Sequence, residues 1–317
     1  MVRYVIRRLL VAVPVLIGVS LVIFGIMRIL PGDIAEITMT GGAASATTSD
    51  IEHFRKALGL DRPLHEQYLE WVRGVVTLDF GKSLKSGGPI IQDLALRAPL
   101  TLEIALLTVL IAILLGLPTG VLSAVRQDTW IDNITRIISI SGVALPVLWT
   151  GTIVVLVLST WFDWIPPLGY ESIWQSPWTN LQQVFWPALV LGYNFAAIVS
   201  RMTRSCMLEV LRQDYIRTAW SKGLRERVVL YRHALINAML PVVTIIGVQF
   251  GTILGGTLIV EQIFVVPGLG SQLVESVQFR DYPMVQTLIL LITGAFVLVN
   301  ILIDVLYAFM DPRIRYE

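Results

Sequence analysis

Charge is scarce in this chain, and so is most of what a catalytic or metal centre is built from. Of 317 residues only 15% are Asp, Glu, Lys or Arg, where a soluble domain carries about 25%. The single cysteine, Cys206, excludes a disulfide framework. Three histidines, His53, His65 and His233, are scattered without metal-ligand spacing, so no metal site is expected. There is no HExxH run, no Ser/His pair and no pair of mid-span aspartates, so an intramembrane enzyme has no constellation to work with and no catalytic residue is expected. Phe80-Gly81-Lys82-Ser83 ends like a phosphate-binding loop but lacks the upstream glycine at the required spacing. The chain therefore has no ATPase motif of its own. A formal net charge of +1 supplies no global field for nucleic acid.

Apolar residues are abundant. They make up 55% of the chain and give a mean hydropathy of +0.72, which is a membrane composition. A bilayer span takes ~20 mostly apolar residues, and six segments qualify: 9–30, 100–124, 136–160, 187–206, 241–263 and 284–308. Arg3, Arg7 and Arg8 precede the first, as in a signal peptide. Its apolar run from Leu9 to Met27 nevertheless outlasts the ~7–15 residues of a signal core, and no small-x-small cleavage site follows. It is a retained anchor.

Lysine and arginine in short loops set the orientation. With the N-terminus inside, the inner loop 201–240 holds Arg201, Arg204, Arg212, Arg217, Lys222, Arg225, Arg227 and Arg232. The outer loop 161–186 has neither Lys nor Arg, and 264–283 has only Arg280. The expected fold is thus an all-α polytopic membrane protein of six helices with both termini cytoplasmic. It divides into a first helix (1–30), an external segment (31–99) and a five-helix core (100–317) with a cytoplasmic loop at 206–240. In the external segment, GGAASATTSD (41–50) reads as a flexible loop. Ser49 or Asp50 then caps a helix running through Leu58 and stopped by Gly59. After Arg62-Pro63, Leu64, Tyr68, Trp71, Val72 and Val75 share a face at helical spacing.

Between the fourth and fifth spans lies a polar island, Gln213 to Pro241. Asp214 to Ser221 is a helical run, and Gly223 supplies the left-handed position on which it can end. Arg225 to Ala238 resumes helical periodicity, with Val228, Val229, Leu235 and Leu240 on or near an apolar side. Pro241 stands at the start of the fifth span, as a first-turn proline. By charge alone the island is either a positive-inside loop with a surface helix or a docking element for a soluble partner.

Other polar residues in the spans admit two readings each. Gly247, Gly251 and Gly255 form a ladder that allows close helix packing, or marks a helix lining a translocation path with Gln249 and Thr252 as its polar contacts. Tyr193, Asn194 and Asn300 are interhelical hydrogen bonders or substrate contacts. Glu103, Asp304 and Glu261 are costly in lipid and hence candidates for function, yet all lie near span ends, where capping or pairing serves as well; Arg201 or Arg204 could pair with Asp304. Trp161, Trp164, Trp174, Trp178 and Trp186 form an outer aromatic belt or a docking surface.

Residue identities separate the readings of the island. Asp214-Tyr215-Ile216-Arg217-Thr218-Ala219, Lys222-Gly223-Leu224, Arg232-His233-Ala234-Leu235 and Asn237-Ala238-Met239-Leu240-Pro241 resemble the cytoplasmic EAA loop of ABC importer permeases. The 18-residue step from Gly223 to Pro241 is similar to the dipeptide/oligopeptide/nickel branch. An ordered series extends the resemblance over nearly the whole chain: Arg7-Arg8-Leu9, Leu30-Pro31-Gly32-Asp33, Leu58-Gly59-Leu60-Asp61-Arg62-Pro63 with Gln67-Tyr68, Asp79-Phe80-Gly81-Lys82-Ser83 and Thr101-Leu102-Glu103. Arg201-Met202-Thr203-Arg204-Ser205, Met207-Leu208-Glu209-Val210, Pro267-Gly268-Leu269-Gly270, Arg280-Asp281-Tyr282-Pro283 and Asp311-Pro312-Arg313-Ile314-Arg315 complete it. One departure is that the first EAA position is no glutamate, and the alanine pair is Thr218-Ala219.

The resemblance implies a type I importer fold in a prokaryotic plasma (inner) membrane, multi-pass. It implies a second homologous permease, two ATPase subunits, an external binding protein and surrounding membrane lipid as partners, and no nucleic acid. A coupling helix would lie at Tyr215–Leu224, with Asp214, Tyr215, Arg217, Thr218, Ala219, Lys222, Gly223, Leu224 and Arg225 meeting the ATPase. This chain would bind no cofactor, ATP and Mg residing on the partner subunits. Peptides are the expected cargo; nickel complexes, glutathione or oligosaccharides are the alternatives in the same branch. A secondary transporter or channel is the alternative of another class, working through mid-span charges or broken helices without a docking loop.

Overall fold

The structure, a computed structural model, describes residues 2–29, 47–57 and 59–310. The Leu30–Asp33 and Asp311–Arg315 motifs, Leu58 and most of the 41–50 stretch lie outside the described residues. The described residues are nearly all helical, as a chain that must satisfy its backbone inside lipid requires. In order they form α1 (Val2–Ile29), α2 (Thr48–Ala57), α3 (Leu64–Val76), α4 (Ile90–Val125), α5 (Trp130–Ala144), α6 (Val147–Trp161), α7 (Pro177–Leu211) and α8 (Asp214–Ser221). A π-helical stretch, Val228–Leu235, runs directly into α9 (Ile236–Ile263), followed by α10 (Leu269–Gln278) and α11 (Tyr282–Met310).

Among the described residues five continuous helices are long and apolar enough to cross a membrane, and a sixth crossing is made if the bent pair α5–α6 counts as one. That pair covers the span expected over 136–160, which is bent in its middle. α5 and α6 meet at 104°, because Pro146 has no N–H to give and disfavours helix at the residue before it. Leu145 accordingly adopts an extended ψ of 125°. A correction concerns Pro241. It sits inside α9, since the helix arrives unbroken through the π-helical stretch, and prolines are tolerated in membrane helices where neighbours compensate.

The core is built on α4 and α7, which pack on each other most extensively. Small residues permit the approach. A Cβ at Gly116 would stand 2.8 Å from the Ala196 carbonyl, one at Gly120 2.6 Å from that of Ser200, and one at Gly192 2.7 Å from Ile111. This is the small-residue packing that substitutes in lipid for a hydrophobic driving force. Leu100, Ile104, Phe195, Val199 and Met207 fill the space between, while Leu102, Leu106, Leu110 and Leu114 leave the far side of α4 apolar and exposed.

At the other edge α1 packs on α11, and α3 lies against the outer end of α1. Phe24, Tyr68 and Trp71 form an aromatic cluster with centroids 5.4–6.3 Å apart. Ser20 and Tyr68 share a 2.8 Å hydrogen bond, and Arg28 Nη2 donates to Gln67 at 2.7 Å. The expected α3 face is therefore the packed one, except that Leu64 remains exposed.

Candidate functional site

The helix α8 is short and two-faced. Ile216 is fully buried and Ala219 nearly so, both turned onto the chain's own core beside Val229 and Ala234. Tyr215, Arg217, Thr218, Trp220 and Ser221 are exposed. An Arg217–Asp214 contact of 3.4 Å joins two exposed side chains and carries little energy. The helix ends on Lys222, and Gly223 follows at φ +73°. Gly223 N–H donates to the Trp220 carbonyl (2.9 Å) and Leu224 N–H to that of Ala219 (3.4 Å), closing the last turn. A Cβ at Gly223 would touch nothing within 4 Å, so the glycine serves the dihedral angle and not close approach. Asp214, Tyr215, Arg217, Thr218, Lys222, Gly223 and Arg225 thus share one exposed knob, with Leu224 at its edge. Ala219 does not belong to its outer face: an alanine on the inner side is what lets α8 lie flat on its support.

The mid-span polar residues are engaged locally. Tyr193 Oη donates to the Ile138 carbonyl (2.9 Å) and lies 2.6 Å from Ser141 Oγ, while Asn194 Nδ2 donates to the Gly142 carbonyl (2.7 Å). These partners belong to the last two turns of α5, and the Gly142 carbonyl is the one whose helical donor would have been the N–H that Pro146 lacks. Tyr193 and Asn194, two of the four candidate translocation-path residues, brace the broken helix. Gln249 and Thr252 are on α9, with Thr252 exposed and donating to the Gln249 carbonyl (2.7 Å). The glycine ladder is not uniform. A Cβ at Gly247 would stand 2.7 Å from Ile303 and one at Gly251 2.3 Å from the Phe296 ring, but one at Gly255 would meet nothing. Asn300 donates within its own helix to the Phe296 carbonyl.

The three acidic residues singled out in the sequence, Glu103, Glu261 and Asp304, each have a partner. Asp304 pairs with Arg8 at 3.0 Å, which corrects the suggested pairing with Arg201 or Arg204. Arg204 instead holds Asp132, a residue to which the sequence reading assigned nothing. The clue was available: Asp132 is the lone acid in the first turn of α5, and a span-edge carboxylate opposite an arginine-rich helix seeks a partner. Glu103 accepts from Tyr170 Oη (2.9 Å) and Asn180 Nδ2 (2.7 Å). Burial, aided by that bond to Glu103, pushes the Tyr170 hydroxyl up to about 12, so it stays a donor. Glu261, fully buried, accepts from Thr101 Oγ1 (2.7 Å) and Ser271 N–H (2.8 Å) and anchors the start of α10. Ser83 Oγ donates to Asp281 at 2.5 Å, which gives the false phosphate-loop ending a structural job. Among the described residues no group of three His, Cys, Asp or Glu side chains could hold a metal ion.

A knob of exposed residues on a helical membrane protein has many uses, and comparison with known proteins narrows them. Residues 116–316 match the family model described as binding-protein-dependent transport system inner membrane component, and residues 1–105 match its N-terminal companion. The chain belongs to this family. The permease is 40% identical over all of both chains to the glutathione transport system permease protein GsiC of Escherichia coli (strain K12). It is 36% identical, again over all of both, to the dipeptide transport system permease protein DppB of Alkalihalophilus pseudofirmus. Its fold is similar to that of the MetNI methionine ABC transporter in an inward-facing conformation (TM-score 0.59, 15% identity, 70% of this chain and 98% of that one). An amino acid ABC transporter solved with histidines aligns at TM-score 0.52 and 17% identity, over 69% and 94%. The permease is a multi-pass inner-membrane component of an ABC transporter, as its sequence resemblance implied.

Proposed function

We propose that the chain is the non-catalytic transmembrane subunit of an ATP-driven importer of peptides. With a second, homologous permease it would form the translocation path, both termini and the 201–240 loop facing the cytoplasm. Two ATPase subunits carrying ATP and Mg would dock on the loop, and an external binding protein would deliver cargo to the other side. The observation that carries the reading is the α8 knob: Tyr215, Arg217, Thr218 and Trp220 are exposed on a helix seated firmly by Ile216 and closed by Gly223. Such a knob transmits the movement of a groove that grips it to α7 and α9, its two neighbours in the chain, as a rigid-body change of access. Peptide as cargo is supported by the names of the relatives, one a dipeptide and one a glutathione permease.

A channel or secondary transporter would find its strongest support in the broken pair α5–α6, since such breaks form ion sites in secondary transporters. Here the carbonyl that Pro146 leaves free, that of Gly142, is already taken by Asn194, which favours the importer. Co-expression with the cognate ATPase and binding protein tests the choice. The importer reading expects a complex that accumulates labelled dipeptide only with ATP. A chain that purifies alone and conducts without ATP defeats it.

A further inference from the structure

Between α5 and α7, at the arginine-rich end of the molecule, lies a cavity of about 680 Å³. Arg136 and Ile140 of α5 face Arg201 and Leu208 of α7 across it, with Arg212 closing its end and Glu209 as the one carboxylate on the wall. Arg204 also lines the cavity but is committed to Asp132. Arg136, Arg201 and Arg212 are exposed, and among the described residues none has a carboxylate within 4 Å.

Topology alone requires positive charge at this end, but not its convergence. Exposed Arg126 meets that requirement without lining the cavity. Three guanidinium groups brought to one cavity repel each other, and an anion reverses the sign of that energy. The geometry also describes the anion. Arg201 on α7 and Arg212, the residue just past its end, are eleven residues apart, roughly 16 Å along the helix, so the charged wall runs from within the span to its end. Ile140 and Leu208 place apolar surface along the same wall. The outer face of α5 beside it, Trp130, Ile134, Ile137 and Ile138, is apolar and exposed. Guanidinium forks match phosphate oxygens two at a time, and basic pockets between helices at the inner interface suit lipid headgroups.

We propose that this cavity is a binding site for a phosphate-bearing anion, supplied in the membrane by the phosphodiester headgroup of an anionic phospholipid. The ligand would pin α5, the inner arm of the broken pair, to α7, which leads straight into α8. The site does not depend on what the permease carries, only on the arginine-rich end facing the inner leaflet.

The test uses the full-length chain with its partner subunits, delipidated and titrated separately with phosphatidylglycerol, phosphatidylcholine and inorganic phosphate. Binding is read by native mass spectrometry and by thermal stabilisation. Phosphatidylglycerol is expected to bind and phosphatidylcholine not. Replacing Arg136, Arg201 and Arg212 together by Gln should weaken phosphatidylglycerol binding by at least about tenfold, each charge-assisted bond being worth about that factor or more. Arg126→Gln, which removes a charge from the same end outside the cavity, should leave it unchanged. Lysine at the three positions should recover part of the binding, because charge survives and the fork does not. Phosphate binding that is lost in the triple Gln variant would keep the site but make its ligand a soluble one. A folded triple Gln variant that binds both probes like the native chain overturns the proposal, as does an equal loss in Arg126→Gln.

Discussion

Arg204 holds Asp132 with both arms of its guanidinium, Nε 2.9 Å from Oδ1 and Nη2 2.7 Å from Oδ2. The carboxylate is fully buried and also accepts from Ser123 Oγ (2.5 Å) and Asp128 N–H (3.0 Å). One side chain therefore ties the end of α4, the start of α5 and the inner part of α7 together. Deleting Arg204 strands a fully buried carboxylate at a cost of about 3–5 kcal/mol, whereas deleting Asp132 leaves an arginine that the cavity partly exposes and costs less. Arg204→Ala is expected to lower thermal stability sharply, Asp132→Ala more mildly, and the double Leu variant less than Arg204→Ala. Cys206, buried and the only cysteine, is a built-in reporter: a thiol-reactive dye should label it at a lower temperature in the single variants. Equal midpoints for native and Asp132→Ala proteins would refute the role.

At Gly223 the expected defect is one of conformation. A β-branched residue at φ +73° costs about 1–3 kcal/mol, although there is open space for the side chain. Gly223→Val should insert into the membrane and fold but lose ATP-driven transport. Gly223→Asn, which accepts the left-handed region more readily, should retain much of it. Transport by reconstituted importers measures both. Normal transport by the Val variant would remove this turn from the coupling apparatus.

The spans were legible because lipid imposes one rule along the whole chain: apolar length. The turn at Gly223 was legible because left-handed backbone favours glycine. The break at Pro146 was not, since prolines stand inside α1, α4, α7 and α9 without breaking them. Whether a membrane proline kinks or breaks depends on neighbours that can satisfy the freed carbonyl, here that of Gly142, met by Asn194 from a helix about fifty residues away. Partner choice was equally hidden. Nothing in sequence spacing says that Asp304 meets Arg8 from the far end of the chain while Arg204 turns to Asp132. Inward-facing Ala219 was misplaced for a related reason: an alanine suits both a close docking surface and a close support.

The unequal glycine ladder separates packing from another role. Gly251→Leu would drive a side chain into the Phe296 ring, already 2.3 Å from the position of a Cβ, and such overpacking typically costs about 1–3 kcal/mol. A Cβ at Gly255 would meet no atom within 4 Å, so Gly255→Ala should leave the Cys206 unfolding midpoint unchanged. If α9 lines the path, the Gly255 variant should still transport more slowly than the native protein. A Gly255 variant as unstable as the Gly251 variant would show that the ladder packs along its whole length.

Glu261 offers the sharpest distinction between charge and shape. Its carboxylate accepts from Thr101 on α4 and from the Ser271 N–H in the first turn of α10. Thr101 Oγ1 in turn accepts from the Leu269 N–H at 2.9 Å. A negative group at a helix start is favourable, and the first turn has donors to spare. Gln is nearly the same size but puts a donor where one of two acceptors stood. Glu261→Gln must therefore turn its amide nitrogen to Thr101 Oγ1, which gives up its own bond and already accepts from Leu269 N–H, costing about 1–3 kcal/mol, and Glu261→Ala should cost more by adding a void. Gly268→Ala tests the same contact from the other side, because a Cβ there would lie 2.3 Å from the Glu261 carboxyl carbon. Hydrogen exchange of the α10 amides in the purified protein provides the measurement. All three variants should expose α10 before the spans loosen, and native-like protection in Glu261→Gln would mean that the helix is held by packing alone.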